Sequence, residues 1–116
     1  MINSAHFKHD IEECRNAERD FFRFAREHHA KVALVQHLSL SELTGVYQPG
    51  YAANQQVAKE ENVPYVDDAD ELRAELKSGR SPFYSGDPIH LHPNRLGQEA
   101  LSHALQRAVN LALRAD

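Results

Sequence analysis

The stretch KVALVQHLSL, residues 31–40, decides the fold class of this chain. Its apolar residues fall on successive positions, a pattern typical of an interior parallel strand that is covered on both faces. A long segment, residues 6–29, precedes it and carries apolar residues at helical spacing. A second β-branched and aromatic run, VPYVD at residues 63–67, predicts another buried strand.

Three more helical patterns follow the first predicted strand. They begin at residue 51, at residue 69 and after residue 94. Asp68 and Asn94 are suited to be N-caps, and Gly79 is suited to be a C-cap. Residues 80–93 contain three prolines and a glycine, which predicts a loop. This alternation predicts an α/β fold with a parallel sheet and right-handed crossover helices. Two strands offer too little sheet to bury several amphipathic helices, so strands are expected to be missing.

Length and composition narrow the class of protein. The 116 residues allow one domain, and 41% hydrophobic with 26% charged residues is ordinary globular composition. A net charge of −4 without a run of Lys or Arg argues against a nucleic-acid partner. The apolar windows fall short of the ~20 residues that cross a bilayer, so no membrane partner is expected. The N-terminus lacks the features of a secretory signal, and we expect a cytoplasmic protein.

Cys14 is the single cysteine, which excludes an intramolecular disulfide and a cysteine-based zinc site. It lies in line with Phe7, Ile11 and Phe21 on the apolar stripe of the first predicted helix. This position predicts a buried core thiol rather than a nucleophile.

The predicted loop contains the residues best suited to chemistry. Asp87 and His90 are three positions apart, so the carboxylate can accept a hydrogen bond from imidazole Nδ1–H and leave Nε2 as a general base. The alternative is that both are solvated loop residues. Asp87, His90 and His92 could also converge on a metal ion, but no fourth ligand is evident, and we predict no metal and no cofactor.

Residues 87–97, with the helix of small apolar residues after them, resemble the last conserved block of the SGNH or GDSL hydrolase superfamily. In that block an Asp-x-x-His leads through a short turn to a glycine in the first turn of the closing helix. Upstream, residues 19–40 resemble the family's penultimate strand with its preceding helix, and residues 51–72 resemble the segment around its last strand. Residues 1–116 therefore resemble the C-terminal half of such a domain, a partial three-layer, flavodoxin-like fold.

The resemblance implies a serine esterase that acts on a small-molecule carboxylic or carbohydrate ester without a cofactor. Asp87 would orient the catalytic histidine. Counting forward from Asp87 selects His90, whereas counting back from Asn94 and Gly97 selects His92. The acid–imidazole contact is the stricter demand and favours His90, with His92 as the alternative.

The family's Gly-Asp-Ser block and its later oxyanion-hole blocks do not occur in this sequence. Ser39 and Ser41 follow the first predicted strand, where loop residues of α/β folds face ligands, but neither matches a nucleophile motif. The serine would come from an upstream segment or from another chain, or it would be absent altogether. The rival hypothesis is a non-catalytic binding or assembly module that associates, as a homo-oligomer for example, through its bare sheet edge.

Overall fold

The chain adopts a mixed α/β structure in the computed structural model, which describes the backbone of residues 4–114 and the side chains of residues 8–114. Its elements are α1 (Ser4–Glu27), β1 (Leu34–Gln36), α2 (Leu40–Leu43), α3 (Pro49–Glu60), β2 (Tyr65–Asp67), α4 (Ala69–Lys77) and α5 (Arg95–Arg114). The two strands pair in parallel, with Val35 opposite Val66. The predicted α/β class with parallel strands is confirmed.

Helices pack on both faces of this small sheet because successive strand residues point to opposite sides. On one face, Leu34 and Tyr65 pack with buried residues of α1 and α3, namely Phe22, Val57 and Ala58. On the other face, Val35 and Val66 pack against Ala104 and Ala108 of α5. A further cluster around Leu38, Leu72 and Phe83 closes the carboxyl end of the sheet.

β1 differs from the interior strand that its apolar run predicts. Within residues 4–114 it pairs with β2 alone, and each of its residues is only partly buried. A groove of about 280 Å³ runs along its open side, between Ala33 and Val35 on one wall and Leu105 and Val109 on the other. β1 is therefore an edge strand with an uncovered apolar border.

The first helix also differs from its prediction. Cys14 is exposed rather than buried, and Phe21 of the same predicted stripe is exposed too. Phe7, the first member of that stripe, lies outside the described side chains. α1 lies beside α3, where Phe22 packs against Val57 and Ala58 and Arg19 forms an ion pair with Glu60 at 3.0 Å. The part of the predicted stripe that includes Cys14 and Phe21 lies outside this buried contact.

The helix boundaries are mostly as predicted. The Asn94 side chain accepts the Gly97 N–H at 3.1 Å and caps α5. Gly79 adopts a positive φ just after the end of α4, as a C-cap glycine does. Asp68 stands at the N-cap position of α4 but makes no side-chain cap bond, so that part of the prediction is wrong. The one-turn helix α2 was not predicted. No helix within residues 4–114 is long and apolar enough to cross a membrane.

Candidate functional site

The segment between α4 and α5, residues 80–94, crosses the carboxyl end of the sheet, and we call it the site loop. Leu40 at the start of α2 donates its N–H to the His90 carbonyl oxygen at 3.0 Å. The loop closes on itself where Asn94 donates its N–H to the Pro82 carbonyl oxygen at 2.9 Å. The predicted candidate residues thus lie in an anchored loop at the end of the sheet where ligands of α/β folds bind.

Asp87 organises the site loop through its carboxylate. Oδ2 accepts the backbone N–H groups of Leu91 and His92, both at 2.7 Å, and Oδ1 accepts the Ile89 N–H at 3.2 Å. Only 7% of the Asp87 side chain is exposed. These donors, the His92 N–H foremost, hold the pKa of Asp87 well below its usual range. The carboxylate is therefore a fixed anion at neutral pH.

His92 is the imidazole that the structure brings to this anion. Its Nδ1 lies 3.1 Å from Asp87 Oδ2, and 70% of its side chain is exposed. An ionised carboxylate can only accept a hydrogen bond, so the proton of a neutral ring is assigned to Nδ1. This assignment leaves the Nε2 lone pair free and facing solvent, as a general base requires.

His90 takes a different place from the one that the Asp-x-x-His spacing favours. Its backbone has φ +47°, and its ring lies edge-on to Phe83 with 6.4 Å between centroids. This left-handed residue turns the chain sharply, and the backbone after it returns to Asp87. The acid–imidazole contact that favoured His90 is consequently made by His92, while a catalytic role for either histidine stays a prediction.

His90 instead lines a groove of about 700 Å³ together with Ser39 and Ser41. The Ser39 hydroxyl is engaged, since it donates to Glu42 Oε1 at 3.1 Å and caps α2. Ser41 is exposed, and its Oγ lies 3.1 Å from Ser39 Oγ. Both serines thus lie near the site loop, as their position after β1 suggested. The Ser39 hydroxyl, however, is already hydrogen-bonded as the cap of α2.

A second acid–histidine pair, not predicted from the sequence, lies beneath the site loop. His37 follows β1 and Asp68 follows β2, and His37 Nδ1 lies 2.5 Å from Asp68 Oδ2. His37 Nε2 lies 2.6 Å from the Leu91 carbonyl oxygen. Part of the signal was in the sequence, because Asp68 directly follows the second predicted strand and His37 lies near the end of the first, and parallel strands bring their ends together.

The structure gives no support to metal binding by the predicted loop residues. Asp87, His90 and His92 do not bring three ligand atoms together. Within the described side chains, a group that does is His9, Asp10 and Glu13, whose ligand atoms lie within 4.8 Å of one another on exposed positions of α1. Exposed side chains on one helix turn are not a binding site by themselves.

No protein-family model matches the sequence, and no curated protein or solved structure gives a match either. The resemblance to SGNH hydrolases therefore rests on the residues quoted above.

Proposed function

We propose that the chain supplies the acid and the base of an SGNH-like ester hydrolase, with Asp87 and His92 in these roles. The observation that carries the proposal is the contact between His92 Nδ1 and Asp87 Oδ2 at 3.1 Å. It orients a largely exposed imidazole whose second nitrogen is free. The partial three-layer fold that the SGNH resemblance implies belongs to the same proposal.

The chemistry follows from this orientation. His92 Nε2 removes the proton from a serine hydroxyl as the oxygen attacks the ester carbonyl carbon. The resulting imidazolium is stabilised by the Asp87 anion, and it returns the proton to the departing alkoxide as the ester C–O bond breaks. A positioned base of this kind contributes about 10²–10⁴ in rate.

The serine itself is proposed to come from another polypeptide segment. Ser39 is engaged as a helix cap, and neither Ser39 nor Ser41 occurs in a nucleophile motif. His90 lines the groove beside these serines and is proposed to contact the substrate. Cleavage of a carboxylic or carbohydrate ester stays the predicted reaction.

Hydrolysis of an activated acetyl ester tests the base, because an oriented imidazole can activate water even without a serine. We expect His92→Ala to lower the rate by at least about tenfold. His103→Ala is the matched control, since His103 is exposed on α5, and it should leave the rate unchanged. An equal rate in His92→Ala and the wild type would contradict the assignment, and a loss confined to His90→Ala would transfer the role to His90.

Intact-mass measurement after incubation with a fluorophosphonate locates the serine. We expect no adduct on the folded chain alone, because the nucleophile is proposed to lie elsewhere. An adduct that maps to Ser41 would show a self-contained esterase instead, since fluorophosphonates capture serines activated by a nearby base.

A second function is favoured by the open edge of β1. The apolar groove beside it is bordered by exposed side chains, including Leu105 at 47% and Val109 at 50%. An edge strand with one unpaired side and an apolar border invites pairing with another strand. We propose that a second copy of the chain covers this edge, and that the chain acts as an assembly module if it proves inactive.

A further inference from the structure

His37 and Asp68 meet because the two strands are parallel. Gln36 pairs with Asp67 at the last position of the sheet, so the next residues of each strand emerge side by side. The Asp68 side chain is fully buried, and its Oδ1 accepts the Leu38 N–H at 3.0 Å while Oδ2 contacts His37. The acid is fixed by the sheet and holds one nitrogen of the His37 ring.

The second ring nitrogen of His37 also has a hydrogen-bond partner. A carbonyl oxygen can only accept, so Nε2 must donate to the Leu91 carbonyl oxygen, 2.6 Å away. With Nδ1 directed at a carboxylate as well, both ring nitrogens face acceptors, an arrangement that favours the doubly protonated ring. Burial alone would lower the pKa of His37, but the hydrogen bonds to Asp68 and Leu91 outweigh it and raise that pKa. His37 thus has no lone pair to offer as a base, unlike His92.

Leu91 connects the two acid–histidine pairs. Its carbonyl oxygen accepts from His37, and its N–H donates to Asp87 Oδ2 at 2.7 Å. The following residue, His92, donates both its backbone N–H and its ring Nδ1–H to the same carboxylate oxygen. A displacement of Leu91 would therefore change the geometry of Asp87 and His92 together.

We propose that His37 is a positioning residue, which holds the Leu91 carbonyl against the carboxyl end of the sheet and thereby orients the Asp87–His92 pair. This inference rests on the proposed function for its catalytic meaning. The structural part of the inference is that His37 fixes the turn which carries Asp87 and His92. This part is argued from the hydrogen bonds of His37 and Leu91 alone. Asp68 holds the ring from its other nitrogen, with Oδ2 2.5 Å from Nδ1.

Two substitutions separate the two bonds of His37. A glutamine amide can reach about as far as Nε2, so His37→Gln should keep the Leu91 bond. An asparagine amide reaches only as far as Nδ1, so His37→Asn should keep the Asp68 bond and lose Leu91. Both variants replace the imidazole with a primary amide, which makes them a matched pair.

Amide hydrogen exchange on the whole chain measures the effect without relying on activity. We expect His37→Asn to accelerate exchange of the Leu91 and His92 amides about tenfold, and His37→Gln to leave them near wild-type values. The amides of Val57 and Leu72, both fully buried in the core, should be unchanged in each variant. Unchanged Leu91 and His92 exchange in His37→Asn, or equal acceleration at Val57 and Leu72, would overturn the proposal.

The ester assay then separates the two proposals. Loss of His92-dependent hydrolysis in His37→Asn, with recovery in His37→Gln, is the result expected if both are correct. If the wild type has no His92-dependent activity but the exchange pattern is as expected, the proposed function fails and the positioning role stands. If hydrolysis depends on His92 but is equal in His37→Asn and the wild type, the positioning role fails.

Discussion

Asp87 and His37 are each held by backbone groups of the site loop. Three N–H groups point at the Asp87 carboxylate, whereas the Leu91 carbonyl oxygen accepts from His37. The spacing of Asp87 and His90 singled out the acid on which the hydrogen bonds of the turn converge, while its catalytic role stays a prediction. The same spacing favoured His90 as the partner, and only the count back from Asn94 and Gly97 offered His92, because the left-handed conformation of His90 is a tertiary result.

The low pKa of Asp87 has a consequence for stability in acid. A carboxyl group with a lowered pKa in the folded state stabilises the fold above its ordinary pKa of 3.8, and this contribution is lost as the pH falls below that value. We expect Asp87→Asn to lower the melting temperature at pH 7 and to reduce the further loss as the pH falls from about 5 to about 2.

Asp20→Asn is the control for this prediction, since Asp20 is exposed on α1. Thermal unfolding followed by circular dichroism at several pH values measures both variants. An Asp87→Asn protein with wild-type acid sensitivity would contradict the role of the carboxylate as the anchor of the turn.

Among the elements, α5 owes its close packing against the site loop to a glycine. Gly97 lies in its first turn, where an added Cβ would overlap the Pro82 carbonyl oxygen and lie 2.7 Å from Pro93 Cβ. The helix can therefore approach the site loop only because this position is glycine. The Asn94 cap and the apolar period of α5 were readable from the sequence, whereas this close approach was not.

We expect Gly97→Ala to destabilise the protein by about 1–3 kcal/mol, because the backbone of the site loop must shift. Gly50→Ala is the matched control, since a Cβ at Gly50 in α3 meets no atom within 4 Å. It should be neutral or stabilising by up to about 1 kcal/mol. Urea unfolding compares them, and equal effects of the two substitutions would refute the close packing of α5 on the site loop.

At the scale of the whole molecule, the open edge of β1 predicts self-association. We expect Leu105→Glu with Val109→Glu to weaken it, because two charges would enter the apolar border of the edge. Exposed positions tolerate such changes within about 0.5 kcal/mol, so the fold should persist. Sedimentation velocity over a range of concentrations measures association, with His103→Glu on another side of α5 as the control. A wild-type chain that stays monomeric throughout would rule out the second copy.

The parallel pairing and the order of the strands and the longer helices were predictable from hydrophobic period and turn residues, although the one-turn helix α2 was not. Which face of α1 is buried was not predictable, because it depends on the packing of α1 against α3. For the same reason Cys14 is exposed although its position in the stripe predicted burial. The spacing of apolar residues in the sequence shows which residues can be buried, but the packing of neighbouring elements determines which of them are buried.

The site loop combines contacts of very different range, and this sets an order of folding. Asp87 and His92 are only five positions apart, so their turn requires little chain closure. The bond between His37 and Leu91 spans 54 positions and requires the parallel strand pair to exist first. We expect the turn to form early and to dock onto the sheet late, so the position of the Asp87–His92 pair on the sheet is among the last features that folding completes.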